Sequence, residues 1–129
     1  MSASRNLVRL GNLLRHEGYK AEIDDESGAL DVTSIQKFSY TVENDVDDPN
    51  HYRLVFPIGI GEGLRSNPKF SEAINSANLG TKLAKVIADE NESDSILILV
   101  DVLASSPSHF VEIFDRCCDA CLTAYDLFN

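Results

Sequence analysis

The segment ALDVTSIQKFSYTVENDVDDPNHYRLVFPI, residues 29–58, carries the pattern that sets the fold class. From 29 to 43 every apolar side chain except Ala29 and Ile35 sits on an even position: Leu30, Val32, Phe38, Tyr40 and Val42. A period of two puts all of them on one face of extended chain, as in a half-buried strand. The stretch is one long bent strand or two strands. A break near 34–36 is preferred, because about 15 residues would be long for a strand in a small domain. Residues 44–50, rich in Asp, Asn and Pro, read as a loop. Tyr52, Leu54, Phe56 and Ile58 then alternate with Arg53, Val55 and Pro57, which predicts the next strand, ending at Pro57.

Upstream, Leu7, Leu10 and Leu14 recur at helical spacing over residues 4–17, with Val8 and Leu13 widening the stripe and Gly18 as a stop. Tyr19, Ala21 and Ile23 alternate with Lys20, Glu22 and Asp24, so a strand leads into the turn at 24–28. Downstream, glycines 59, 61 and 63 link to Asn67, a capping residue, and Pro68, which suits a first helical position. The second helix turns Phe70, Ala73, Ile74 and Ala77 inward and ends near 78–80. Residues 83–88 and 96–103, rich in Val and Ile, flank the polar turn 89–94 as a hairpin. Ser105-Ser106-Pro107 repeats the cap-then-proline signal, and Phe110, Ile113, Phe114, Cys117, Cys121, Ala124 and Phe128 make a stripe along a third helix. The order helix, meander, helix, hairpin, helix contains no strand-helix-strand alternation of the doubly wound kind. It predicts an α+β fold in which three helices pack on an antiparallel sheet of five or six strands.

Length and charge narrow the role. The 129 residues suit a single domain, 1–129. With 21 acidic against 11 basic residues the formal charge is −10, which repels phosphate backbones and anionic lipid and argues against nucleic-acid and membrane partners. The longest apolar run, 96–100, is five residues, too short to span a bilayer. The first 20 residues are basic, with no acidic residue before Glu17, a composition also found in mitochondrial transit peptides; their apolar stripe equally suits a core helix. The three cysteines lie within 117–121, close no long loop and point to a reducing compartment.

The residue groups that could carry chemistry each have a plainer reading. On a helix Cys117 and Cys121 lie one turn apart within the apolar stripe, while Cys118 points roughly 100° away, so the three do not converge as a metal site. The glycines of GIGEG (59–63) lack the spacing of a phosphate-binding loop and no Lys-Ser/Thr pair follows them. Twelve acidic residues crowd three turns, at 22–26, 43–48 and 89–94. The calcium-loop pattern fails at Pro49 in one, and for want of a sixth-place glycine and a twelfth-place Glu, here Val100, in another. His16, His51 and His109 belong to no catalytic motif, and His109 with Glu112 reads as a surface pair. No catalytic residue, metal or cofactor is expected.

The same arrangement resembles the YbjN-like family and, more distantly, the class I type III secretion chaperones. The likeness runs over LLRHEGY (13–19), DDESGALDV (24–32), KFSYTV (37–42), YRLVFPI (52–58) and the junction SEAINSANLGTKLAKVIADENESDSILILVDV (71–102), where Asn75 and Asn78 stand at the place of an asparagine typical of both groups. The resemblance implies a bacterial, cytoplasmic, non-enzymatic homodimer with a protein-binding or regulatory role. Its alternatives are a secretion-type chaperone for an effector protein, and a small metal- or redox-dependent module using the cysteines of the last helix. A surface for the partner or for a second copy is expected where apolar residues exceed what one core needs. The last strand is apolar on both sides apart from Asp101, so Ile96, Ile98, Val100 and Val102, or their odd-numbered neighbours, would face water in a monomer. The first helix adds Leu7, Leu10 and Leu14 as a further candidate face.

Overall fold

The computed structural model describes residues 4–60, 67, 69–81, 83–90 and 94–128. Pro68, the link beyond Ile60 and residues 91–93 of the third acidic turn, all singled out in the sequence, lie outside the described residues. The elements run α1 (Arg5–His16), β1 (Lys20–Ile23), β2 (Leu30–Thr33), β3 (Ser39–Asn44), β4 (His51–Gly59), α2 (Phe70–Gly80), β5 (Ala84–Ala88), β6 (Ser95–Leu103) and α3 (Pro107–Phe128). The six strands form one antiparallel sheet in the order β1-β2-β3-β4-β6-β5, so the fold is α+β with three helices, as the pattern predicts. β4 continues two residues past the expected end at Pro57, whose missing N–H is tolerated at an exposed position. The chain divides into two compact units. One comprises the chain up to Val55 with Asp101–Asp115, the other Phe56–Val100 with the chain from Arg116 on.

The first unit is organised by capping and turn chemistry. Ser4 caps α1, its Oγ accepting from the Leu7 N–H at 3.1 Å, and Arg15 and His16 sit in the last turn, where the helix dipole favours cations. Leu7, Leu10 and Leu14 are buried, and Gly11 leaves room for Leu30 of β2, whose Cδ1 lies 3.1 Å from where a Cβ would stand. Gly18 ends the helix at φ +99°, its N–H donating to the Arg15 carbonyl and the Tyr19 N–H to the Leu14 carbonyl. Between β1 and β2, Asp24 accepts the Glu26 N–H on its side chain and Gly28 takes φ +74°.

The segment 29–43 is two strands, with the turn between β2 and β3 at 34–38. The Ser34 N–H donates to the Phe38 carbonyl at 2.9 Å, and Ser34 Oγ accepts the Phe38 N–H. Phe38 therefore belongs to the turn and not to a strand. The positive φ this turn needs, +69°, falls on Lys37, so neither Gly nor Pro marks it. Between β3 and β4 the organiser is Asn44. It accepts from Ser4 Oγ at 2.9 Å and donates to the carbonyls of Pro49 and His51 at 2.9 and 3.0 Å, which fastens the acidic loop to the start of α1.

The core of this unit is aromatic. Tyr52 stacks on Phe110 with centroids 4.7 Å apart and planes 10° from parallel. Phe114 takes edge contacts from Phe110, Tyr40 and Tyr19 at 5.8, 6.2 and 5.1 Å. The Tyr52 hydroxyl is fully buried with no hydrogen-bond partner among the described residues, and burial raises its pKa. A buried hydroxyl without a partner carries an uncompensated desolvation cost. Tyr52→Phe is therefore expected to keep the stack and raise stability by about 1 kcal/mol in urea melts. A loss of that size would show instead that the hydroxyl is paired in solution.

The second unit is aliphatic at its centre. β5 and β6 pair antiparallel with Ala84 opposite Val100, Val86 opposite Ile98 and Ala88 opposite Ile96. Ala84, Val86, Ile96, Ile98 and Val100 are buried, together with Phe70 and Ala77 of α2 and Cys117, Cys121, Ala124 and Phe128 of α3. Phe70 meets Phe128 edge-on at 6.1 Å. Ala73 and Ile74, expected to point inward, are only half-buried, because α2 buries a narrow stripe. Before α2, Asn67 Oδ1 accepts the Lys69 N–H at 2.9 Å, a local bond of the turn that leads into the helix; α2 itself starts at Phe70 with Lys69 at the N-cap and no side-chain cap bond, so Asn67 is not the cap the sequence pattern predicts. At the start of α3, Ser106 Oγ accepts the His109 N–H at 3.2 Å and Pro107 takes the first helical position.

Candidate interaction surface

β6 alternates strictly, Ile96, Ile98 and Val100 going into the core of the second unit while Leu97 and Leu99 remain half-buried on the opposite side. The expected surface therefore has the wrong parity. Ile96, Ile98 and Val100 are fully buried within the chain, as are Leu10 and Leu14, with Leu7 at 2% exposure; of the seven candidates only Val102, half-buried, retains appreciable surface. For the leucines of the first helix the reason is that α1 packs on β1, β2 and β3 of the same chain. The apolar surplus falls on the odd positions, the alternative the sequence left open.

On β5 the register puts Ile87 opposite Leu97 and Lys85 opposite Leu99. Side chains of directly opposed residues share a face of the sheet, so Ile87, Leu97 and Leu99 form an apolar strip bordered by the exposed Lys85. Ile87 is 38% exposed. Asp101, on the same odd face of β6, is exposed too.

In the first unit Asp101 is the centre of a polar cluster that sequence reading did not assemble. Its Oδ1 accepts from Arg53 Nε at 2.8 Å and lies 2.9 Å from His51 Nε2, and its Oδ2 lies 3.3 Å from the Arg53 terminal nitrogen. The Arg53 hydrogen bond, helped by the arginine charge and by His51, holds the Asp101 carboxyl below the usual carboxylate range against the opposing effect of burial. Arg53 is raised in turn, chiefly by that bond, with a smaller contribution from Glu43, its cross-strand partner on β3. A cleft of about 300 Å³ beside the cluster is lined by Glu43, Asn44, Asp45, His51 and Arg53. Both Asp101 oxygens are engaged by these neighbours, so the cluster is an ion-pair network and does not present a poised general base.

The cysteines behave as core. Cys117 and Cys121 are buried, and desolvation pushes the Cys117 thiol up to about 11 and the Cys121 thiol higher still, which leaves neither as a thiolate at neutral pH. Cys118 is half-buried. Among the described residues no three His, Cys, Asp or Glu side chains are placed to hold a metal ion. Also among these residues, no helix is long and apolar enough to cross a membrane. His109 accepts the Ser105 N–H at 3.1 Å, a local contact at the start of α3. Asn78 bonds to the backbone of β5, whereas Asn75 is exposed.

No family model matches the sequence, and no curated protein is significantly similar to it. Solved structures do match. YbjN from E. coli, for which a role in transcription regulation has been suggested, superposes with a TM-score of 0.69 at 13% identity, over 95% of this chain and 87% of that one. The chain has a YbjN-like fold. The Yersinia pestis type III secretion chaperone SycH, solved in complex with a stable fragment of YscM2, superposes with a TM-score of 0.55 at 17% identity, over 94% of this chain and 98% of that one. The YbjN-like, chaperone-like architecture expected from the element order is thus shown, and at these identities the likeness is one of fold.

Proposed function

We propose that this chain is a single, non-enzymatic protein-interaction domain of the cytoplasm, in which two copies meet on the outer face of β5–β6 and the dimer binds a partner protein. The observation that carries the reading is the strip of Ile87, Leu97 and Leu99 on strands whose opposite face is already core. Apolar surface of this kind is normally covered in a working assembly, and a twofold contact is the commonest cover. The net charge of −10 opposes association, but the screening length at physiological salt is about 8 Å, so acidic turns away from the strip cost little. The architecture shared with a regulator candidate and with a chaperone crystallised on a protein fragment supports a protein partner. The likeness to SycH favours, as a second reading, a chaperone for an exported protein. Buried Cys117 and Cys121, whose thiols burial pushes up, suit a reducing cytoplasm and weigh against redox or metal chemistry.

Light scattering coupled to size exclusion decides the dimer. The wild type is expected at about twice 14.2 kDa at micromolar concentration, and Leu97→Lys, a charge placed on the strip without touching the core, at 14.2 kDa with unchanged circular dichroism. A wild-type monomer, or a Leu97→Lys dimer, would sink the reading.

A further inference from the structure

The outermost strand, β5, ought to be an open template, because among the described residues one edge of it has no neighbouring strand. Which of its groups face outward follows from the register. The Asp89 N–H donates to the Ser95 carbonyl at 3.2 Å, so that pair is hydrogen-bonded across the hairpin. In an antiparallel ladder bonded and non-bonded pairs alternate. Ile87 and Lys85 therefore bond to β6, while Ala84, Val86 and Ala88 turn their N–H and C=O groups toward the free edge. The last turn of α2 and the residue after it occupy that edge. The Asn78 carboxamide accepts the Val86 N–H at 2.6 Å and donates to the Val86 carbonyl at 3.0 Å, the two bonds that one residue of an added antiparallel strand would make. Thr81 Oγ1 donates to the Ala84 carbonyl at 2.6 Å.

The opposite end of the sheet carries a smaller version of the same arrangement. The Asp24 N–H donates to the Ala29 carbonyl, so by the same alternation Ala21 of β1 faces outward. The Arg15 guanidinium, from the helix that precedes β1, donates to the Ala21 carbonyl.

We infer that Asn78 and Thr81 close the β5 edge to strand addition, so that a second copy of this chain cannot extend the sheet there and association is left to side-chain faces. Asn78 substitutes for a backbone: its amide has the donor and acceptor of a peptide unit, and being tethered to α2 it seals the strand without continuing the sheet. The inference is independent of the dimer face, since edge and face use different atoms.

Amide hydrogen exchange of the full chain tests it. In the wild type the Val86 N–H should exchange slowly although no strand among the described residues covers it. In Asn78→Ala it should exchange at least tenfold faster, while Lys85 and Ile87, bonded to β6, stay slow. Asn78→Asp, which keeps the acceptor and loses the donor, should fall between. The double variant Asn78→Ala/Thr81→Val should also gain concentration-dependent mass above the wild-type value in light scattering. Fast Val86 exchange in the wild type would overturn the inference, even if Asn78→Ala does not fold. So would a folded double variant with wild-type mass at every concentration.

Discussion

Phe114→Asp is expected to abolish cooperative folding. Phe114 is 1% exposed and lies at the centre of the aromatic core, with Tyr19, Tyr40 and Phe110 presenting edge contacts at 5.1, 6.2 and 5.8 Å. A carboxylate there finds aromatic rings in place of water, and an isolated buried charge costs several kcal/mol or more unless it is neutralised. Loss of the ring adds a cavity penalty of about 3–5 kcal/mol. Together these match a total stability of roughly 5–15 kcal/mol. Circular dichroism and a thermal melt check the expectation: no sigmoidal transition should remain at neutral pH. A cooperatively melting Phe114→Asp variant would remove this side chain from the core.

Phe110→Ala should be severe but survivable. The ring is fully buried, stacked on Tyr52 at 4.7 Å and edge-on to Phe114. Its removal leaves a cavity beside a tyrosine whose hydroxyl already lacks a partner among the described residues. The expected loss is about 3–5 kcal/mol, and aromatic pairing adds roughly 0.5–1.5 kcal/mol to simple burial. For a chain of this size that lowers the melting temperature by roughly 10 °C or more. Urea denaturation of Phe110→Ala, Tyr52→Phe and the double variant should place the whole loss on the ring contact, with Tyr52→Phe alone showing the gain of about 1 kcal/mol expected from removing a partnerless hydroxyl. A Phe110→Ala variant within about 1 kcal/mol of wild type would mean that the core collapses to fill the gap.

The element order and most of the core were legible because periodicity is a local property. Leu30, Val32, Tyr40, Val42, Tyr52, Leu54 and Phe56 keep one parity in the sequence and are all buried in the structure. The leucines of α1 and the stripe of α3 follow the helical period in the same way, and Ser106 and Gly18 cap and stop their helices as residues of their type do. The break near 34–36 could be placed by strand length alone, and the turn that makes it, at 34–38, left no mark in composition because its left-handed residue is Lys37.

What only the tertiary structure decided is where a pattern was locally symmetric or a contact distant. β6 is apolar on both faces, so its own residues left open which side is core. Asp101 on the odd face was the available clue, and the pairing of Leu99 on that face with Lys85 of β5 makes it decisive, since charged side chains stay with water. His51 and Asp101 are 50 residues apart and meet only because β4 and β6 are neighbours in the sheet. Asn78 could be noticed in the sequence, but its work on Val86 depends on β5 ending as the outermost strand. Sequence spacing encodes which faces an element has; the assignment of each face to core, edge or solvent is made by what else the chain packs there.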